Sequence, residues 1–111
     1  VENCTACGTV GVPSQGPIPW DVDATTAELA DRVAAGRMQV LRGDVALTDM
    51  TALLESERKY TVASFLSCQE CGRILFWGLS IRGNPILRYA DPDEVDRWPW
   101  QPIPPRESWA H

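Results

Sequence analysis

The stretch Tyr60-Thr61-Val62-Ala63-Ser64-Phe65-Leu66-Ser67-Cys68-Gln69-Glu70-Cys71-Gly72-Arg73-Ile74-Leu75-Phe76-Trp77-Gly78-Leu79-Ser80-Ile81 decides the architecture. Residues 60–67 are rich in β-branched and aromatic side chains and predict a strand. Residues 68–72 make a tight turn, and residues 73–81 predict a second strand. Strand side chains alternate between faces, so Leu75, Trp77, Leu79 and Ile81 share one face, the expected core face. Downstream, Arg82-Gly83-Asn84-Pro85 turns the chain into a third strand at 86–89. Connections this short join antiparallel neighbours, so a three-stranded antiparallel meander is expected.

Upstream the texture is different. Pro13, Pro17 and Pro19 forbid a helix and disfavour a central strand over 11–19. Thr25, with Glu28 three residues later, has the spacing of a capping box and predicts a helix start. Leu29 and Val33 lie on one face of that helix, and Gly36 supplies its stop. A second helix is expected from about Thr48, with Leu47, Met50, Leu53 and Leu54 as its apolar stripe. Between the helices, Arg42-Gly43-Asp44 reads as a turn.

The turn at 68–72 has a counterpart at the N-terminal end: Cys4-Thr5-Ala6-Cys7-Gly8 and Cys68-Gln69-Glu70-Cys71-Gly72 both read C-x-x-C-G. Two intervening residues let the backbone fold so that both sulfurs face one ion, and the following glycine tolerates the positive φ such a turn demands. Two knuckles supply four thiolates, a closed tetrahedral shell for Zn²⁺. Soft sulfur ligands select zinc or iron over magnesium or calcium. Cys4, Cys7, Cys68 and Cys71 are therefore the expected ligands of one structural zinc ion.

On these residues, and on the strands flanking the second knuckle, the chain resembles the zinc-ribbon family, in which two knuckles on hairpins share one zinc. The likeness covers about a third of the chain. The departure is in spacing: four-cysteine zinc sites commonly separate their pairs by ~15–20 residues, whereas positions 8–67 here leave 60. Both predicted helices fall in that gap, so the ribbon is split by a helical insertion. The resemblance implies the metal more strongly than it implies any activity, because coordination depends on approach in space.

Other uses of the four cysteines stay open. Two disulfides need an oxidising compartment, and the start Val1-Glu2-Asn3-Cys4 is neither basic nor followed by an apolar run, so no signal peptide is visible. A cytoplasmic location is expected, where free thiols without metal are a further alternative. A redox C-x-x-C expects a βαβ setting that neither pair has. Iron in place of zinc would make the chain similar to rubredoxin, whose two C-x-x-C-G knuckles look much like these.

Catalytic signals are weak. Four cysteine ligands leave zinc no open position for water or substrate. The sole histidine, His111, is the last residue, and any Ser-His or Cys-His nucleophile would have to use it. Gly78 and Gly83 fall in a strand and a turn, so no phosphate-cradling loop is present. Asp91, Asp93, Glu94 and Asp96 read first as a solvated face.

Composition bounds the rest. The 111 residues, 44% hydrophobic and 23% charged, fit one folded domain. No apolar run approaches the ~18–20 residues that span a bilayer. Ten basic residues are scattered against fifteen acidic ones, a net charge of -5. A phosphate-neutralising face wants clustered Lys and Arg, so nucleic acid is a disfavoured partner. An acidic surface attracts a basic one, although it also serves solubility alone.

Three of five tryptophans, Trp98, Trp100 and Trp109, lie in the tail, whereas Trp20 and Trp77 are expected in the core. Trp98 and Trp100 either fold back over the meander or, with Asp91, Asp93, Glu94 and Asp96, form a docking surface.

The expected architecture is a small α+β domain over 1–111. A helical insertion at 21–58 splits the knuckles, and an acidic, Pro/Trp-rich tail runs over 91–111. The expected role is a zinc-stabilised, non-catalytic protein-binding module with a basic protein partner and no small-molecule substrate. In size, acidity and lack of active-site residues the chain is similar to the bacterial immunity proteins and antitoxins that block a basic toxin, a likeness of character rather than motif. A rubredoxin-like electron carrier and a nucleic-acid-binding zinc ribbon are the alternatives.

Overall fold

A computed structural model describes residue 4 and residues 6–109. The elements in chain order are α1 (Val22–Ala34), β1 (Met38–Gly43), a 3-10 turn (Leu47–Asp49) running into α2 (Met50–Glu55), β2 (Thr61–Cys68), β3 (Ile74–Ser80), β4 (Ile86–Ala90), α3 (Pro92–Arg97) and a final 3-10 turn (Arg106–Trp109). The fold is small α+β: one antiparallel sheet in the order β1-β2-β3-β4, with two helices between the knuckles. Strand β1, within the insertion, is an addition to the expected three-stranded meander. It pairs with β2 from Met38↔Cys68 to Gly43↔Ser64, with a bulge between Val40 and Arg42. Arg42 and Gly43 thus end a strand rather than form a turn, and the chain bends at Asp44.

The start of α1 differs from expectation for a local reason. Asp21, in extended conformation, caps the helix by accepting the Ala24 N–H at 2.9 Å. Thr25 consequently lies one turn inside, where its hydroxyl is buried and accepts the Val12 N–H at 3.0 Å. That bond fastens the proline-rich arm to α1, together with an isolated bridge between Pro13 and Trp20. Gly36 ends the helical turn with a φ of 76°.

The sheet is covered on both faces. On one face Leu75, Trp77 and Leu79 of β3 meet Val62 and Leu66 of β2, Leu29 of α1, and Met50 and Leu53 of α2. Ala6, Cys7 and Val10 from the N-terminal arm join the same core. Each large side chain buried here contributes roughly 1.5–3 kcal/mol. The other face holds a smaller cluster of Ala63, Phe65, Phe76 and Val95, against which Trp98 and Trp100 pack. Phe76 lies between β3 neighbours of the first core, which explains why β3 is apolar at successive positions. Gly78 serves this layer: a Cβ there would meet the Phe76 ring at 2.6 Å.

The tail therefore folds back over the sheet. Phe65 and Trp98 meet edge to face at 5.9 Å, and Trp98 and Trp100 at 6.4 Å between ring centroids. The Trp100 indole donates to the Val95 carbonyl at 2.9 Å. Trp77 is fully buried and Trp20 packs against the same core. No helix among the described residues is long and apolar enough to cross a membrane.

Candidate metal centre

Each knuckle is built by its own backbone. The Gly8 N–H donates to the Cys4 carbonyl at 2.8 Å, and the Gly72 N–H donates to the Cys68 carbonyl at 3.0 Å, so both turns close through the same kind of backbone bond. Gly72 has a φ of 78°, the left-handed conformation that makes glycine the fitting residue there. The second knuckle is the β2–β3 hairpin loop, shut by the Cys68 N–H donating to the Arg73 carbonyl at 2.8 Å. The first knuckle rides on the N-terminal arm, held in place by buried Ala6 and Val10.

These supports bring four sulfurs, 64 residues apart in pairs, to one point. The ligand atoms of Cys4, Cys7, Cys68 and Cys71 all lie within 4.8 Å of one another. Cys4 Sγ is 3.6 Å from Cys68 Sγ, and Cys7 Sγ is 3.5 Å from Cys71 Sγ. A tetrahedron with metal–sulfur bonds of ~2.3 Å has edges of about 3.8 Å, so the cluster has the size of a four-thiolate metal site. It is far looser than a disulfide, whose sulfurs bond at ~2.05 Å, and all four cysteines are free thiols.

The electrostatics call for a cation. The Cys7 and Ala6 amides hold the Cys4 thiol below its ordinary range, the Cys7 amide acting most strongly. Burial pushes Cys68 up despite N–H groups of Cys71 and Glu70 directed at its sulfur. Burial likewise pushes Cys7 up, against the pull of the Tyr89 hydroxyl. Sulfurs buried this deeply resist becoming anions on their own, and a divalent ion supplies the compensation. The residues present therefore fit a bound metal. Arg37, directly before β1, adds positive charge nearby and ties that segment to the second knuckle through Glu70 at 2.7 Å.

Tyr89 is a contact the sequence reading did not anticipate. Its hydroxyl lies 3.3 Å from Cys7 Sγ across 82 residues of chain. Nothing local in Leu87-Arg88-Tyr89 signals this, because the contact exists only once β4 has paired with β3. The bond to Cys7, with burial second, holds the tyrosine proton up to about 12.

The remaining candidate residues lie away from the sulfurs. Asp91, Asp93 and Asp96 are exposed on and beside α3. Glu94 instead is paired on the surface with Arg88 of β4 at 2.9 Å, which holds its carboxyl below the usual range. It also accepts the Asp91 N–H at 3.3 Å, completing the start of α3. Trp98 and Trp100 are half-buried, with Arg42 stacked at 4.5 Å over Trp100. His111 lies outside the described residues. A cleft of about 640 Å³ between α1, β1 and residues 45–48 is walled by Ala30, Val33, Val40, Val45 and neighbours, and its lining contains no ionisable side chain.

No protein-family model matches the chain, and comparisons with curated proteins and with solved structures return no significant match.

Proposed function

We propose that the chain is a zinc-stabilised protein-binding module without catalysis of its own. The observation that carries the metal half is the gathering of Cys4, Cys7, Cys68 and Cys71 within 4.8 Å. Four thiolates saturate tetrahedral zinc, so the ion joins the N-terminal arm to the β2–β3 hairpin and leaves no site for substrate. The binding half rests on surface chemistry. Asp91, Asp93 and Asp96 are exposed beside the half-buried Trp98 and Trp100, in a chain of net charge -5. This combination suits a basic protein partner, as in immunity proteins and antitoxins, and a cytoplasmic setting where the thiols stay reduced.

Elemental analysis of protein purified without metal-affinity steps, with a thiol count, tests the first half. One zinc per chain with four protected thiols supports it. A stoichiometric chelator should then lower the melting temperature by at least about 10 °C, since metal binding is folding free energy. An unchanged melting curve after verified metal removal would sink the structural role. For the second half, capture from source cells should return one stoichiometric basic protein whose binding weakens with salt and with Asp91→Asn/Asp93→Asn/Asp96→Asn. Loss of neither would move the binding surface elsewhere.

A second reading has a specific observation behind it. Amide groups directed at the sulfurs of Cys4 and Cys68 are the contacts that set iron–thiolate potentials. One iron per chain, a red colour and a reversible one-electron couple would establish a rubredoxin-like carrier instead. Nucleic-acid binding is disfavoured because Arg32, Arg37, Arg88 and Arg106 are each engaged by a carboxylate of the chain itself.

A further inference from the structure

We infer that Tyr89 belongs to the metal centre: its hydroxyl donates a hydrogen bond to the metal-bound Cys7 sulfur and tightens the hold of both knuckles on the ion. The inference rests on the metal reading and goes beyond its four ligands.

Three observations converge on it. Tyr89 Oη lies 3.3 Å from Cys7 Sγ, within hydrogen-bonding distance for sulfur, and Cys7 is only 3% exposed. The sulfur end of the bond is shielded from water, while Tyr89 itself keeps 38% of its surface exposed. The ring's position is fixed by the sheet, because Tyr89 pairs with Leu75 in the β3–β4 register. Finally, the Arg73 guanidinium stacks over the Tyr89 ring at 4.7 Å, and Arg73 follows directly on Cys71-Gly72. Tyr89 thus touches the first knuckle through its hydroxyl and the residue ending the second knuckle through its ring.

The chemistry follows from what a thiolate needs. A sulfur anion that loses water on burial must recover hydrogen bonds from the protein. Cys4 and Cys68 obtain them from amides of their own knuckles. For Cys7, the second cysteine of its knuckle, the donor comes from β4 instead. Such outer contacts orient the ligand and spread its negative charge, and their loss typically costs 10–100-fold in metal affinity. Arg73 adds one positive charge on the same side, which offsets part of the net charge of −2 on a divalent ion held by four thiolates.

Tyr89→Phe keeps the ring, the strand and the Arg73 stack and removes only the O–H. Zinc affinity is read by competition with a chromophoric chelator, and cobalt(II) is substituted to record the thiolate-to-metal charge-transfer band. Tyr60→Phe, at an exposed tyrosine, is the control. The expected result is zinc affinity lowered about 10-fold, faster release to chelator and a shifted charge-transfer band in Tyr89→Phe alone. A merely structural tyrosine would leave the band unmoved. Wild-type protein that binds zinc no more tightly than Tyr89→Phe, with the same cobalt spectrum, overturns this inference and leaves the metal site standing. Wild-type protein that binds neither ion overturns both.

Discussion

The buried indole N–H of Trp77 donates to the Thr26 hydroxyl at 3.0 Å, the polar contact that sets how α1 lies on the sheet. Trp77 is wholly buried and Thr26 is 6% exposed. The adjacent Thr25 turns to the N-terminal arm and bonds Val12. Two consecutive threonines thus fasten one helix to β3 and to the segment that carries the first knuckle. The fold and the metal centre share this joint.

Breaking that joint leaves a buried donor or acceptor alone. Thr26→Val keeps the side-chain volume and orphans the Trp77 N–H, and should cost about 1–3 kcal/mol in urea unfolding. The double variant Thr26→Val/Trp77→Phe should cost less than the sum of the two single changes, because the second substitution removes a donor already without its partner. Strict additivity would mean that the bond does not couple helix and sheet.

The tail offers a separate stability test. Trp98 and Trp100 lie over Phe65 and Phe76, so Trp98→Ala should lower stability by about 2–3 kcal/mol, less than a fully buried tryptophan because part of its surface is already wet. The reading that places Trp98 in a docking surface as well requires loss of partner binding beyond that loss of fold. Trp98→Phe separates the two, since it retains most of the packing. Unfolding free energy equal to wild type in Trp98→Ala would show that the tail does not complete the core in solution.

Which of these features the sequence disclosed depends on how local their cause is. The knuckles were legible because C-x-x-C-G encodes ligand, turn and glycine within five residues. The meander was legible because residues 60–89 alternate strands with short turns. β1 escaped because only Met38 of its six residues is buried, so an edge strand reads as loop. The second face of the sheet is legible in part: Trp98 and Trp100 read as folding back over the meander, whereas the burial of Phe65 and Phe76 beneath them depends on the chain's return after α3. The helix cap was misplaced at Thr25 because its spacing to Glu28 competes with Asp21, which lies directly before the helix and wins. Tyr89 depends on tertiary pairing alone.

Asp44 gives a pH signature. Its Oδ2 accepts the Ala63 N–H at 2.8 Å and faces Lys59 Nζ at 3.8 Å, whereas Oδ1 is buried without a partner. Burial, outweighing the Ala63 bond, Lys59 and Arg42, raises the carboxyl above its ordinary value. A group raised on folding contributes its stability in full below the unfolded value, about 3.9, and loses it as pH climbs through the folded one. Asp44→Asn should therefore match wild type below about pH 3.9 and be at least as stable at pH 7, the gap opening between the two values. A variant much weaker than wild type at pH 7 would show that the Lys59 pair outweighs desolvation.

The sulfur geometry predicts how the centre fails under oxidation. The close approaches at 3.6 and 3.5 Å run between knuckles, Cys4 to Cys68 and Cys7 to Cys71. Buried Ala6 and Val10 keep the first knuckle seated against the sheet when the ion leaves, so each sulfur meets its neighbour from the other knuckle first. If a chelator withdraws the metal while diamide oxidises the folded protein, two cross-knuckle disulfides should form, each transferring two electrons to the reagent. Trypsin would then release residues 1–32 covalently joined to residues 60–73, a species absent after reduction. Recovery of the two peptides separately, each two hydrogens lighter, would mean pairing within the knuckles. That outcome would show the N-terminal arm leaving the sheet before oxidation, and the metal, rather than the Ala6 and Val10 packing, would then be what holds it there.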